Sequence, residues 1–168
     1  MSFNDITSTQ TEAWENNLPP IGFSVDKTGT GMIVERFPED NCYLKLSRPP
    51  SAVFELGFYA FKGSSFDHDD LDDHIQRLYS DEKPRFGKRI NLDLDDVSRI
   101  GRIFLTGNGR SQRMRFACVV PSPNGGPFGL LLVYSKYSNS RRMPKSVGEI
   151  IDDNQLSLLE SFVISGSR

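Results

Sequence analysis

Three strand-like runs, RIGRIFL (99–105), RMRFACVV (113–120) and FGLLLVYSKY (128–137), are separated by TGNGRSQ and PSPNGGP. Both connectors are rich in Gly, Pro, Asn and Ser, the residues that close tight turns, so the segment reads as a three-strand antiparallel meander. In its middle strand Met114, Phe116, Cys118 and Val120 share one face, and Arg113, Arg115, Ala117 and Val119 share the other. This meander constrains the fold most, because the rest of the chain must pack on it or extend it.

Upstream, IGFSV (21–25) and GMIVERF (31–37) flank DKTGTG, a hairpin pattern. CYLKL (42–46) and VFELGFYAF (53–61) are further strands joined by a proline-marked turn, and RINLDL (89–94) is a strand or an extended lead-in. Between them Leu71, Ile75, Leu78 and Tyr79 fall on one face of a helix, capped by Ser64, Ser65 or Asp67 and stopped by Pro84. Asp5 to Asn17 suggests a short first helix ending at Leu18-Pro19-Pro20. The capping box Ser146-Val147-Gly148-Glu149 opens a closing helix whose inner face is Val147, Ile150, Ile151, Leu158, Leu159, Phe162 and Val163. The expected architecture is α+β: a mostly antiparallel sheet, N-terminal strands plus the C-terminal meander, with two main helices packed on it in a layered sandwich. This order resembles that of Mog1/PsbP-like layered folds, an analogy of arrangement that no motif carries.

A length of 168 residues suits one domain spanning 1–168, with residues 1–20 as a loosely attached segment. The N-terminus has neither a basic region nor an apolar run of the secretory type, and no apolar stretch reaches the ~20 residues of a membrane helix. Two cysteines, Cys42 and Cys118, fit no metal spacing, so a reducing cytoplasm is the simplest expectation, with a single bridge between them as the alternative.

Charge is segregated along the chain. Through residue 82 there are 15 acids and 6 bases; from 83 to 145 there are 3 acids and 13 bases. Such blocks either answer one another in the fold or make a bipolar surface.

The stretch FDHDDLDDH (66–74) invites a metal reading. It lacks the glycine and glutamate of a calcium loop, and His68 and His74 stand about 120° apart around a helix. Asp70 and His74 do share a face, which leaves them as a two-ligand candidate. The S-x-x-K match at Ser80–Lys83 lacks companion motifs, and no phosphate loop or nucleophile elbow occurs. Arg110, Arg113, Arg115, Arg141, Arg142 and Lys145, interleaved with Phe116, Tyr134 and Tyr137, make a basic-aromatic set of the kind single-stranded nucleic acid favours. The sequence pI of about 5.7 argues against a nucleic-acid module.

The favoured function is therefore a non-enzymatic protein-binding domain of adaptor, chaperone, inhibitor or immunity type, needing no cofactor. It docks on a protein partner through Asp67, Asp69, Asp70, Asp72 and Asp73, or through the arginine set. The alternatives are a metal-assisted hydrolase using Asp70 and His74, and a nucleic-acid binder using the basic meander.

Overall fold

The computed structural model describes residues 6–10, 21–26, 31–36, 42–48, 54–62, 66–94, 97–107, 112–121, 128–137, 142–151 and 163–167. The meander forms as expected, with strands at Val97–Thr106 (β7), Arg113–Pro121 (β8) and Phe128–Tyr137 (β9). Gly107, at φ 82, supplies the left-handed backbone that the turn after β7 requires.

The meander is the centre of a larger, fully antiparallel sheet. Ile33–Arg36 (β3), Cys42–Ser47 (β4), Phe54–Lys62 (β5) and Arg85–Leu94 (β6) join it in the order β3-β4-β5-β9-β8-β7-β6. VFELGFYAF therefore lies inside the sheet, with β5 paired to β9 over its whole length from Phe54↔Lys136 to Lys62↔Phe128. A second, three-stranded antiparallel sheet has the order β1-β2-β10, from Ile6–Gln10 (β1), Ile21–Asp26 (β2) and Val163–Ser167 (β10).

Three expectations are corrected. The expected hairpin does not form: β2 pairs with β1 and β10, while β3 pairs with β4. Gly31, just before β3, does adopt the left-handed φ of 71. In place of a first helix, Ile6–Gln10 is a strand; its sequence ITSTQ is rich in β-branched residues, which suit a pleated surface better than a helix. The remainder of that expected helix, 11–17, lies outside the described residues. Of the expected closing helix only the start is described, a 3-10 turn at Val147–Glu149, and Val163, expected on its inner face, stands in β10. The capping box at its start is complete, with the Ser146 side chain taking the third amide and Glu149 reaching back to the cap backbone. The span from 152 to 162 lies outside the described residues.

The one α-helix described, His68–Leu78 (α1), packs across the sheet. Leu71 and Ile75, both fully buried, meet Phe61, Phe104, Ala117, Val119, Leu131 and Val133 from β5, β7, β8 and β9. Burying each such side chain stabilises the fold by about 1.5–3 kcal/mol. Ile103, Leu105, Phe116, Cys118, Leu130, Leu132 and Tyr134 are buried as well. The central strands are thus covered on both faces, which is what the unbroken apolar run GLLLVY requires. Close packing reaches its limit at Gly101, where a Cβ would lie 2.6 Å from the Phe116 ring.

Candidate functional site

The acidic stretch is set up by the start of α1. Asp67 is the N-cap: its Oδ1 accepts from the Asp70 amide at 2.9 Å. Asp70 Oδ2 in turn accepts from the Phe66 amide at 2.9 Å. Phe66 holds the unusual φ of 55 there, so two carboxylates fix the backbone where the chain turns into the helix. Asp69 and Asp70 in the first turn interact favourably with the helix dipole.

The same helix then divides its acids between sheet and solvent. Asp72 is largely covered, receives Arg89 Nη2 at 3.1 Å and lies 3.5 Å from Arg102 Nε. Arg89, on β6, also reaches Asp69 Oδ1 at 2.8 Å, and its hydrogen bonds to Asp72 and Asp69 raise its pKa. Arg102 of β7 lies over the Phe86 ring at 4.8 Å. The acidic block and the basic block of the sequence therefore meet across the helix–sheet interface. Asp67, Asp69 and Asp73 are exposed, Asp67 while capping the helix and Asp69, with its side chain 82% exposed, while paired to Arg89.

The two histidines serve different neighbours. His68 Nε2 lies 3.1 Å from Asn91 Oδ1 on β6. His74 is half-buried with its ring 4.9 Å from that of Phe61. Among the described residues no group of three or more His, Cys, Asp or Glu side chains is placed to hold a metal ion.

The arginine set separates. Arg110 and Arg141 lie outside the described residues. Arg142 is exposed, 3.9 Å from Glu149. Arg113 reaches the Tyr137 hydroxyl and lies over its ring at 4.3 Å, close to the surface at the end of β8 and β9. Arg115, expected in the same surface patch, is instead buried beneath the C-terminal end of α1, only 6% exposed. Its Nε donates to Thr106 Oγ1 at 2.8 Å and its Nη1 to Ser135 Oγ at 2.6 Å, and its guanidinium lies 4.5 Å from the Tyr79 ring centre. Glu82, in the 3-10 turn Ser80–Glu82, stands 3.5 Å from its Nη2. Alternation in β8 already placed Arg115 on the side of Ala117 and Val119. That face is the one α1 covers, and the hydroxyl partners of Arg115 come from register: Ser135 is directly opposite on β9.

Cys118 is a free, buried thiol, so the alternative of a bridge to Cys42 is not realised. Burial pushes its pKa up to about 12, which suppresses the nucleophilic thiolate. Burial likewise holds the neighbouring Tyr134 hydroxyl well above its ordinary value.

No protein-family model matches the chain, and no curated protein matches it. Among solved structures, the chain is similar to cyanobacterial PsbP (CyanoP) from Synechocystis sp. PCC 6803, with a TM-score of 0.57 at 10% identity over 97% of this chain and 94% of that one. A second likeness is to the immunity protein TplEi of the T6SS from Pseudomonas aeruginosa, solved with an "L" peptide. Its TM-score is 0.44 at 8% identity, over 86% of this chain and 48% of that one. The PsbP likeness supports the α+β, mostly antiparallel arrangement expected from the order of elements. No helix among the described residues is long and apolar enough to cross a membrane.

Proposed function

We propose that this chain is a non-enzymatic protein-binding domain, of adaptor, inhibitor or immunity type, that docks a basic partner surface on the outer side of α1. The observation carrying this reading is the division of labour among the aspartates. Asp70 and Asp72 are engaged inward and fix the helix, and Leu71 and Ile75 clamp it to the sheet. Asp67 and Asp69, exposed while capping the helix and pairing with Arg89, and the exposed Asp73 are thereby held in a fixed spacing. A rigid row of like charge accelerates encounter with an oppositely charged surface and rejects like-charged ones, at little ordering cost on binding.

The residues considered for hydrolysis support the same reading through the structural work they do. Asp70 orders the turn into α1, and His74 packs on Phe61. For nucleic acid, the exposed Tyr137 would be the stacking platform, and the Arg113 guanidinium already covers its ring. The test is affinity capture of the tagged protein from its native host, with nuclease and chelator in parallel. The expected result is one stoichiometric protein partner that survives both treatments and elutes with salt. Loss of all retained material with nuclease would replace this reading by nucleic-acid binding, and loss with chelator would point to a metal-dependent site.

A further inference from the structure

The guanidinium of Arg115 is fixed more firmly than a core ion pair needs. Thr106 and Ser135 hold Nε and Nη1, and the Tyr79 ring covers one face. Its remaining edge, Nη2, meets only a loose partner among the contacts described. The Glu82 carboxylate stands at 3.5 Å, whereas a charge-assisted hydrogen bond closes to about 2.7–2.9 Å. Glu82 is also only partly covered, with a side chain 43% exposed. It ends a three-residue 3-10 turn and is followed by Lys83 in the left-handed region at φ 50. Two residues along β8, on the same side of the sheet, Arg113 adds a second guanidinium beside the half-exposed Tyr137.

We propose that the Nη2 edge of Arg115 is a binding site for the side-chain carboxylate of an acidic peptide, and that Glu82 occupies it in the free protein. The occupant is named by what the site already takes. Glu82 is itself a carboxylate on a peptide, and the planar guanidinium fork is shaped to receive one. Arg113 supplies further positive charge at the approach. This site is independent of docking through α1: it carries the opposite charge and would take an acidic partner, so either proposal can fail without the other.

The experiment is an NMR titration that follows the Arg115 Nε–H signal in the full chain. N-acetylglutamate amide is the probe and inorganic phosphate, at matched ionic strength, the comparator. Wild type is expected to show a saturable shift with the carboxylate. Glu82→Ala, which removes the internal competitor from a half-exposed position, is expected to bind the probe about fivefold more tightly, as follows if Glu82 fills the site about four-fifths of the time. In Arg115→Lys, which lacks that proton, the backbone amide signals of position 82 and Ser135, followed in all three proteins, are expected to show no saturable shift. Equal affinity in wild type and Glu82→Ala, or no saturable shift in either, would overturn the proposal. Phosphate binding as tightly as the carboxylate would overturn its assignment to a peptide. The Glu82→Ala comparison decides the matter even where Arg115→Lys fails to fold.

Discussion

Replacing Gly101 with alanine probes the packing that supports both candidate sites. Gly101 sits in β7, opposite Cys118 of β8. An added Cβ would lie 2.6 Å and 2.8 Å from two Phe116 ring carbons and 2.9 Å from the Ala117 carbonyl oxygen. Carbon atoms pack at about 3.5–4.0 Å, so the ring must retreat by roughly 1 Å. It has little room, being fully buried and stacked on Tyr134 at 6.2 Å between centres. The carbonyl belongs to the β7–β8 ladder and cannot yield without loosening it. Overpacking of this kind costs about 1–3 kcal/mol, partly offset because alanine restricts the unfolded chain by about 0.4–1 kcal/mol more than glycine. For a domain of this size each kcal/mol lowers Tm by about 2–4 °C. Thermal melts followed by circular dichroism should therefore place Gly101→Ala several degrees below wild type. Gly148→Ala, with its nearest neighbour at 3.8 Å, is the matched control and should shift Tm little. Equal melting temperatures for Gly101→Ala and wild type would refute the claim that the central strands are close-packed on the Phe116 side.

Other consequences follow from the same contacts. Ile75→Ala empties a fully buried position between α1 and the sheet and should cost about 2–5 kcal/mol in denaturant unfolding; a loss under 1 kcal/mol would mean that α1 is not clamped there. Cys118, with its pKa near 12, should resist alkylation in the native protein at pH 8 and label only on unfolding, as read by peptide mapping; rapid native labelling would contradict its burial. The backbone amides of Lys145 and Ser146 hold the Glu149 pKa below its ordinary value. Its contribution is therefore present above the ordinary carboxylate pKa and fades as pH falls through the lowered one. The amide resonances of Lys145 and Ser146 should accordingly shift on acidification with a midpoint below that of an exposed glutamate, and a midpoint at or above the ordinary value would contradict the capping box.

What could be read from the sequence depended on whether a local pattern had one physical explanation. The helix at 68–78 was legible because Leu71, Ile75 and Leu78 recur at helical spacing and Asp67 supplies a cap. The meander was legible because its connectors are turn formers and its strands alternate or run fully apolar. Strand partners were not legible. The glycines of DKTGTG fit a hairpin turn, yet nothing local distinguishes pairing of β2 with β3 from pairing with β1 and β10. The capping box at Ser146 signals a helix start, and among the described residues its hydrogen bonds open a 3-10 turn. For the site, the five aspartates read as one set, and the inward use of Asp72 depends on Arg89 and Arg102, from strands later in the chain. By its charge Arg115 reads as a surface residue, whereas its alternation with Ala117 and Val119 puts it on the face that α1 covers. Its burial is made tolerable by Thr106 and Ser135, hydroxyls brought alongside only by the sheet's register.

The acidic row on α1 as a docking surface is tested most directly by reversing only its outward members. Asp69→Lys/Asp73→Lys leaves in place the capping contacts of Asp67 and Asp70 and the contacts of Asp72 with Arg89 and Arg102, and gives up the exposed Asp69–Arg89 pair. Capture from the native host would be run side by side with wild type at low and high salt, with Tm measured to show that the variant is folded. The expected result is a stoichiometric protein partner that wild type holds at low salt and the folded variant releases. Equal retention by both proteins, independent of salt, would contradict docking through this helix.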